Sequence, residues 1–184
     1  MSAELIIFGV VFVLVVIWFV GVYNGLIQVQ QNIVKAFANI EVLLMQRTDE
    51  LTKLMKTVQS YAKHEKEIFA NVAKARETML GAKTVSEKAK ASGGISDALK
   101  SVFALSEDYP ELRSTENFLQ LQNRISDLED SIADRREFYN ESVNNYNIRI
   151  KSIPDVIIAS AMSLSPQEMF EVPEEKKQDV EIDL

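Results

Sequence analysis

The chain has 184 residues, a formal net charge of −7 and no cysteine. The acidic balance argues against nucleic acid or anionic lipid as the main partner, and the missing cysteine excludes a disulfide framework. Six glycines and four prolines, with no alternating strand pattern before the last few residues, favour an all-α fold.

The first element is an uncharged apolar run that follows a short tail, residues 1–4. Residues 5–22 contain no charge and, as a helix, would span about 27 Å, close to the thickness of a bilayer's hydrocarbon core. The tail has no Lys or Arg, which disfavours a cleaved signal peptide. We therefore expect a single-pass transmembrane anchor, with Trp18 and Tyr23 in the aromatic belt.

Two glycines, Gly21 and Gly25, lie four residues apart where this run ends. The spacing allows two membrane helices to approach closely, which makes the pair a candidate contact between membrane helices. The alternative is that both glycines only loosen the helix at the interface.

The charges that flank the run bear on orientation. Glu4 precedes it, and Lys35 is the only basic residue within about 20 residues after it. By the positive-inside rule, this favours a membrane protein whose main body lies in the cytoplasm.

An antiparallel helical bundle is predicted for residues 23–163. Apolar side chains recur in alternating steps of three and four along 24–80 and again along 115–153, the pattern of two long bundle helices. Pro154 ends the second helix, because its ring and missing N–H disfavour continuation.

Shorter elements complete the predicted organisation. Residues 81–114 contain a loop signal at Ala89–Gly94, followed by a short helix that Ser96 can cap. Another short helix is expected over 155–162, and residues 164–184 form an acidic tail.

Charge is unevenly distributed along the chain. Residues 51–100 hold ten Lys or Arg against five Asp or Glu, whereas residues 101–184 hold eight against eighteen. Opposite net charges favour pairing of the two long helices with each other over pairing of either with its own copy.

Three charged residues, Arg47, Glu65 and Arg135, interrupt the predicted apolar seams. A buried lone charge is unfavourable, so each needs a partner or access to solvent. If the two long helices pack antiparallel from their facing ends, Glu65 lies within a turn or so of Arg135 and Arg136, which predicts an ion pair. The alternative is that these residues only set the helix register.

Several stretches, in order and over nearly the whole chain, resemble the LemA family of bacterial membrane-anchored proteins. These stretches are Tyr23-Asn24, the run from Gln31 to Glu65 and on to Arg76, the run from Asn117 to Asn147, Ile153 to Ala159, and Phe170-Glu171. The resemblance implies an antiparallel helical bundle behind one amino-terminal span, without established enzymatic activity. Some members carry a lipoprotein-type anchor, which implies an extracytoplasmic bundle for them.

The resemblance also indicates candidate interaction residues. The family's arginine-then-aspartate pair, its tyrosine followed by His-Glu, and its two Tyr-Asn pairs are similar to Arg47 and Asp49, Tyr61, His64 and Glu65, Tyr139-Asn140 and Tyr146-Asn147. The chain departs from the family at Phe37, where tryptophan is usual, and at Leu51-Thr52-Lys53, where Ile-Pro-Asn is usual. The second departure puts any proline-induced bend of the first helix in doubt.

The two Tyr-Asn pairs lie seven residues apart and so project from the same side of a helix. The asparagine side chains could bond a neighbouring helix or a peptide partner. The alternative is that the tyrosines simply pack in the seam with their hydroxyls at its edge.

Catalytic chemistry is not indicated. His64 is the only histidine, and a zinc-protease motif would need a second one at position 68, which is Ile68. A single histidine also cannot complete a di-iron site of the bundle type. No glycine-rich phosphate loop, serine elbow or cysteine nucleophile occurs, so we expect no catalytic, cofactor-binding or metal-binding residues.

The sequence therefore predicts a non-enzymatic, membrane-anchored bundle that acts by protein–protein association. Its expected partners are membrane lipid and other copies of itself, as a homo-oligomer in the membrane plane. The alternative is an adaptor or regulator of another membrane protein, such as a membrane protease. A metal-dependent enzyme is a third possibility, which the count of histidines disfavours.

Overall fold

The protein is described by a computed structural model over residues 3–171, and this part of the chain contains six helices and no strand. The helices are α1 (Ala3–Gln59), α2 (Lys66–Gly81), α3 (Val85–Glu107), α4 (Pro110–Arg113), α5 (Glu116–Arg149) and α6 (Asp155–Ala161). The predicted all-α class with a long apolar helix at the start is confirmed. Residues 172–184, most of the predicted acidic tail, lie outside the described residues.

The chain divides into two compact units through which α1 and α5 both run. The smaller unit comprises residues 3–37 and 138–168, and the larger unit comprises residues 38–137 and 169–171.

In the smaller unit, the start of α1 packs against the end of α5. The Phe37 and Tyr139 rings lie 5.8 Å apart, and Gly25 faces the guanidinium of Arg149. Residues later in α1 thus contact residues earlier in α5, so the two helices are antiparallel. The buried side chains of this unit include Leu26, Ile33, Ala36, Tyr139, Val143, Tyr146, Ile150, Ile158 and Ala159.

In the larger unit, α1 contacts both α3 and α5. Arg47 on α1 forms an ion pair with Glu129 on α5, and Lys88 on α3 lies 3.8 Å from Glu41 on α1. The Phe103 and Phe118 rings meet edge to face at 6.1 Å and join α3 to α5. Residues 41 and 47 of α1 contact residues 88 and 92 of α3 in the same order, so these two helices are parallel.

The first long helix differs from its predicted bounds of 24–80. It begins at Ala3, so the apolar run and the bundle helix are continuous, and it ends at Gln59. The Ser60 hydroxyl donates to the Thr57 carbonyl at 2.7 Å, and Ala62 is buried in the turn that leads to α2. Residues 60–65 contain no proline or glycine that would break the helix. We therefore attribute the break to tertiary packing.

The predicted register of the two long helices is also wrong. In the smaller unit Arg149 on α5 lies against Gly25, and in the larger unit Glu129 pairs with Arg47, so α5 lies beside residues 25–47 of α1. Residues 25–37 of α1 are therefore covered by α5. The second long helix ends at Arg149, ahead of the predicted limit of 153.

The segment 81–114 is mostly helix: the predicted loop at Ala89–Gly94 is wrong, and the short helix predicted after it is part of the longer α3. Thr84 and Glu87 form a capping box that starts α3: the Thr84 hydroxyl accepts from the Glu87 N–H at 3.1 Å, and the Glu87 carboxylate accepts from the Thr84 N–H at 3.1 Å. The small residues that suggested a loop are buried on α3 instead, including Ala89, Ala91 and Ser92. Ser96 lies inside this helix and is not its cap.

Candidate functional site

Arg47 is the most buried charged side chain described, with 1% exposure, and it joins three helices. Its guanidinium donates to the hydroxyls of Ser92, at 3.3 Å, and Ser96, at 2.6 Å, both on α3. On α5, the carboxylate of Glu129 forms an ion pair with it. Arg47 therefore has the partner that a buried charge requires.

Burial and neighbouring charges act in opposite directions on the pKa of Arg47. Burial lowers the pKa of Arg47, the charge of Glu129 raises it, and the nearby Arg136 lowers it. A guanidinium stays protonated in proteins, so Arg47 remains a fixed cation in the larger unit. Its Nε atom is buried and has no hydrogen-bond partner within residues 3–171.

The expected ion pair of Glu65 with Arg135 or Arg136 is absent from residues 3–171, so that prediction is wrong. Glu65 lies at the start of α2, and Arg135 is exposed. Arg136 lies over the Phe170 ring, 5.0 Å from its centre. The early end of α1 and the shifted register explain why Glu65 and the arginines do not meet.

Three more candidates, Asp49, Tyr61 and His64, are exposed. Asp49 follows Arg47 by two residues and so does not share its buried position on α1. Tyr61 and His64 lie in the turn between α1 and α2. We call Arg47, Ser92, Ser96 and Glu129 the Arg47 cluster. The structure does not bring these three exposed side chains together with it.

The second Tyr-Asn pair and Tyr139 bind a segment that follows α6. The Asn147 side chain donates to the Gln167 carbonyl at 2.9 Å and accepts from the Gln167 N–H at 2.8 Å. The Tyr139 hydroxyl donates to the Glu168 carbonyl at 2.9 Å. We call Tyr139 and Asn147 the α5 clamp, because together they hold residues 167 and 168 against α5.

The tyrosines of this region are shielded from water. Burial raises the pKa of Tyr139, and the charge of Glu168 raises it further. Burial also raises the pKa of Tyr146, while the side chain of Gln167 opposes that change. Both phenols are therefore neutral hydroxyls at physiological pH. Asn140 is half-buried beside them on α5.

Gly21 and Gly25 differ in their surroundings. A Cβ atom on Gly21 would meet nothing within 4 Å, whereas one on Gly25 would lie 2.5 Å from a guanidinium nitrogen of Arg149. Gly25 thus gives room to Arg149, which also forms an ion pair with Asp155.

An open groove of about 430 Å³ lies between α3 and α5 in the larger unit. Leu99, Phe103 and Ile125 make it apolar, with Lys100 and Glu129 as charged groups in its lining. Residues 3–171 contain no group of three or more His, Cys, Asp or Glu side chains that could hold a metal ion.

Sequence reasoning missed the partners Ser92, Ser96 and Gln167. The serines lie four residues apart, a spacing that places both on one helical face. If residues 92–96 are helical, this spacing predicts that both hydroxyls can contact the same partner. Gln167 carried no signal for its contact with Asn147, because that contact is made by its backbone.

Comparison with known proteins adds a family and named relatives. The chain is 24% identical over 174 residues to "Magnetosome protein MamQ" of Magnetospirillum gryphiswaldense, an alignment that covers 80% of this chain and 64% of that protein. It is 33% identical over 81 residues to "Magnetosome protein MamQ 2" of Paramagnetospirillum magneticum, covering 44% of this chain and 30% of that protein. The chain thus spans less than two thirds of these relatives.

The match to the LemA family is longer than the 81-residue match to the second relative. The sequence profile of the LemA family matches residues 36–184, which include the Arg47 cluster and the α5 clamp. The match begins after the apolar run and covers most of the chain. The chain is a membrane-associated helical protein that belongs to the LemA family.

Proposed function

We propose that the protein is a single-pass membrane protein that works without catalysis, through association with other copies of itself in the membrane plane. The apolar segment 5–22 of α1 would be the anchor. Its large side chains from Leu5 to Val20 are exposed, which suits lipid contact. Lys35 after the segment and Glu4 before it favour a cytoplasmic bundle.

The observation that carries this proposal is an apolar stripe on α1 beyond the anchor. Val34, Ala38 and Val42 are exposed and recur every four residues, the spacing of one helical face. The buried positions 33, 36, 40 and 44 of the same helix occupy another face. An exposed apolar stripe on a helix favours a partner helix, and membrane tethering raises the local concentration of copies.

The polar residues support a binding role and not a catalytic one. Arg47 and the α5 clamp are used in contacts within the chain. Neither cluster combines a nucleophile with an oriented base. The names of the relatives do not describe a reaction.

Cysteine crosslinking tests self-association, because the chain has no cysteine of its own. Val34→Cys and Val42→Cys should each form disulfide-linked dimers on mild oxidation of membranes that contain the full chain. Asn39→Cys is the matched control, since it is exposed on the same helix but on a different face. Equal crosslinking at position 39, or none at positions 34 and 42, would reject the stripe as an interface.

The alternative is an adaptor for another membrane protein, favoured by the groove between α3 and α5. A partner segment with apolar side chains would fit Leu99 and Phe103 in that groove. This alternative predicts that Phe103→Asp removes a second protein from the purified complex while the crosslinks at positions 34 and 42 are absent. A pure homo-oligomer that Phe103→Asp leaves unchanged would argue against it.

A further inference from the structure

The turn between α5 and α6 lies where the apolar segment of α1 ends. In the smaller unit, Arg149 at the end of α5 packs against Gly25, three residues beyond Val22. Because α1 and α5 are antiparallel, the residues that follow Arg149 continue toward the apolar segment. Val22 is buried, in contrast to the exposed residues that precede it. The turn is therefore level with the lipid-facing end of α1.

Two isoleucines, one in this turn and one in α6, are largely exposed. Ile153 is 86% exposed and Ile157 is 65% exposed, and Pro154 between them is also exposed. Ile158 and Ala159, which follow at once, are buried and hold α6 in place. The isoleucines are thus presented on a fixed support, next to a segment suited to lipid.

The polar groups of the turn are largely satisfied within the chain. The N–H groups of Lys151, Ser152 and Val156 donate to carbonyls at 3.1, 3.2 and 2.9 Å, and the Ser152 hydroxyl donates to the Ile148 carbonyl at 2.8 Å. Pro154 has no N–H to satisfy. Paired backbone groups are what a segment needs to enter a medium without water.

The charges of the turn are arranged for the edge of a bilayer. Arg149 and Asp155 form an ion pair that removes their net charge. Lys151 remains as an exposed cation on a long flexible side chain, and such side chains reach from apolar depth to lipid phosphates. On α1, Trp18 and Tyr23 are the aromatic residues expected at the same boundary.

We propose that residues 151–157 are a second membrane-binding site, in which Ile153 and Ile157 insert at the boundary between lipid headgroups and acyl chains. Lys151 contacts lipid phosphate. The occupant is lipid because the turn follows Arg149, which lies against Gly25 just beyond the apolar segment of α1. This inference rests on the proposed function in one respect, namely that α1 spans the bilayer. It adds an attachment that restricts how the smaller unit tilts against the membrane.

Site-specific fluorescence tests this site in the full chain. Ile153→Cys and Ile157→Cys, each labelled with nitrobenzoxadiazole, are reconstituted into vesicles of phosphatidylethanolamine and phosphatidylglycerol. Glu141→Cys is the control, an exposed position on α5 in the same unit that lies farther from Gly25. We expect blue-shifted emission and strong quenching by acyl-chain nitroxides at 153 and 157, and neither at 141.

A second variant separates insertion from misfolding. Ile157→Asp, with the label at position 153, should shift the emission at 153 toward that of position 141 without loss of helicity. Emission at 153 that matches 141 in the otherwise unchanged chain would overturn the proposal. Protection from aqueous iodide that disappears when the protein is diluted with lipid would also overturn it, because a second copy would then be the occupant.

Alkaline carbonate extraction distinguishes failure of the α1 span from failure of the second membrane-binding site. If α1 does not span the bilayer, alkaline carbonate releases the protein from the vesicles, and the proposed function fails as well. If the protein resists carbonate while positions 153 and 157 stay in water, only the second site is rejected.

Discussion

At the scale of single residues, Arg47 shows what a charge inside an apolar seam can and cannot indicate. Its place among apolar positions of α1 predicted a buried charge that needs a partner. The partners could not be predicted, because Ser92 and Ser96 lie 45 and 49 residues along the chain. Ser92 also lies in the stretch Ala89–Gly94, which indicated a loop. The partner depends on how α3 packs, which local sequence does not encode.

Replacing Arg47 with Met should destabilise the protein by about 2 kcal/mol, measured as a shift in denaturant midpoint in detergent. This is below the effect for a fully buried pair, because Glu129 is 41% exposed and water can solvate it. Asp49→Asn is the matched control, an exposed residue of the same motif, with an expected change below about 0.5 kcal/mol. Equal effects of both substitutions would contradict a structural role for Arg47.

Tyr139 should make the stability of the fold depend on pH. Its pKa is raised in the folded protein, so above the unfolded value of about 10 the folded state keeps a proton that the unfolded state loses. Stability therefore falls as pH rises through that range. Tyr139→Phe should cost about 1 kcal/mol near neutral pH through the lost hydrogen bond to Glu168, and this difference should shrink above pH about 10.

The measurement for Tyr139 is a set of denaturant titrations at successive pH values for wild type and variant. Tyr61→Phe is the control, because Tyr61 is exposed, and it should change stability by less than about 0.5 kcal/mol. A difference between wild type and Tyr139→Phe that stays constant as the pH rises would show that Tyr139 titrates alike in the folded and unfolded states.

At the scale of helices, elements with a strong local signal were predicted well. The uncharged run at residues 5–22 and the proline at 154 correspond to the start of α1 and the α5–α6 turn. The break after Gln59 was missed, because residues 60–65 contain neither Pro nor Gly. The first half of α3 was missed because alanine, serine and glycine at 89–94 occur both in loops and in closely packed helices. In both places tertiary contacts decide between local alternatives.

The α5 clamp predicts which part of the chain responds when one side chain is removed. Asn147→Ala should lower the hydrogen-exchange protection of the Gln167 amide by about tenfold, because it removes the acceptor of that N–H. Asn144→Ala on the same helix is the control, since Asn144 is exposed. Unchanged protection at Gln167 in Asn147→Ala would mean that other contacts hold the segment.

At the scale of the whole molecule, the proposed membrane anchor and the proposed association of copies are linked. A helix fixed in the bilayer limits copies to two dimensions, so even a small apolar stripe such as Val34, Ala38 and Val42 can support assembly. The net charge of −7 acts against this through repulsion between copies and is weakened by salt. We therefore expect assembly to strengthen as ionic strength rises, with the crosslinking yield at position 34 as the measurement.

The measurement that tests the central claim most directly is the mass of the particle extracted from the membrane with its surrounding lipid. One chain has a mass of 20.8 kDa. Association of copies predicts a discrete protein mass of two or more identical chains, as determined by native mass spectrometry. A particle that holds a single copy of the chain, either alone or with a different protein, would contradict the account.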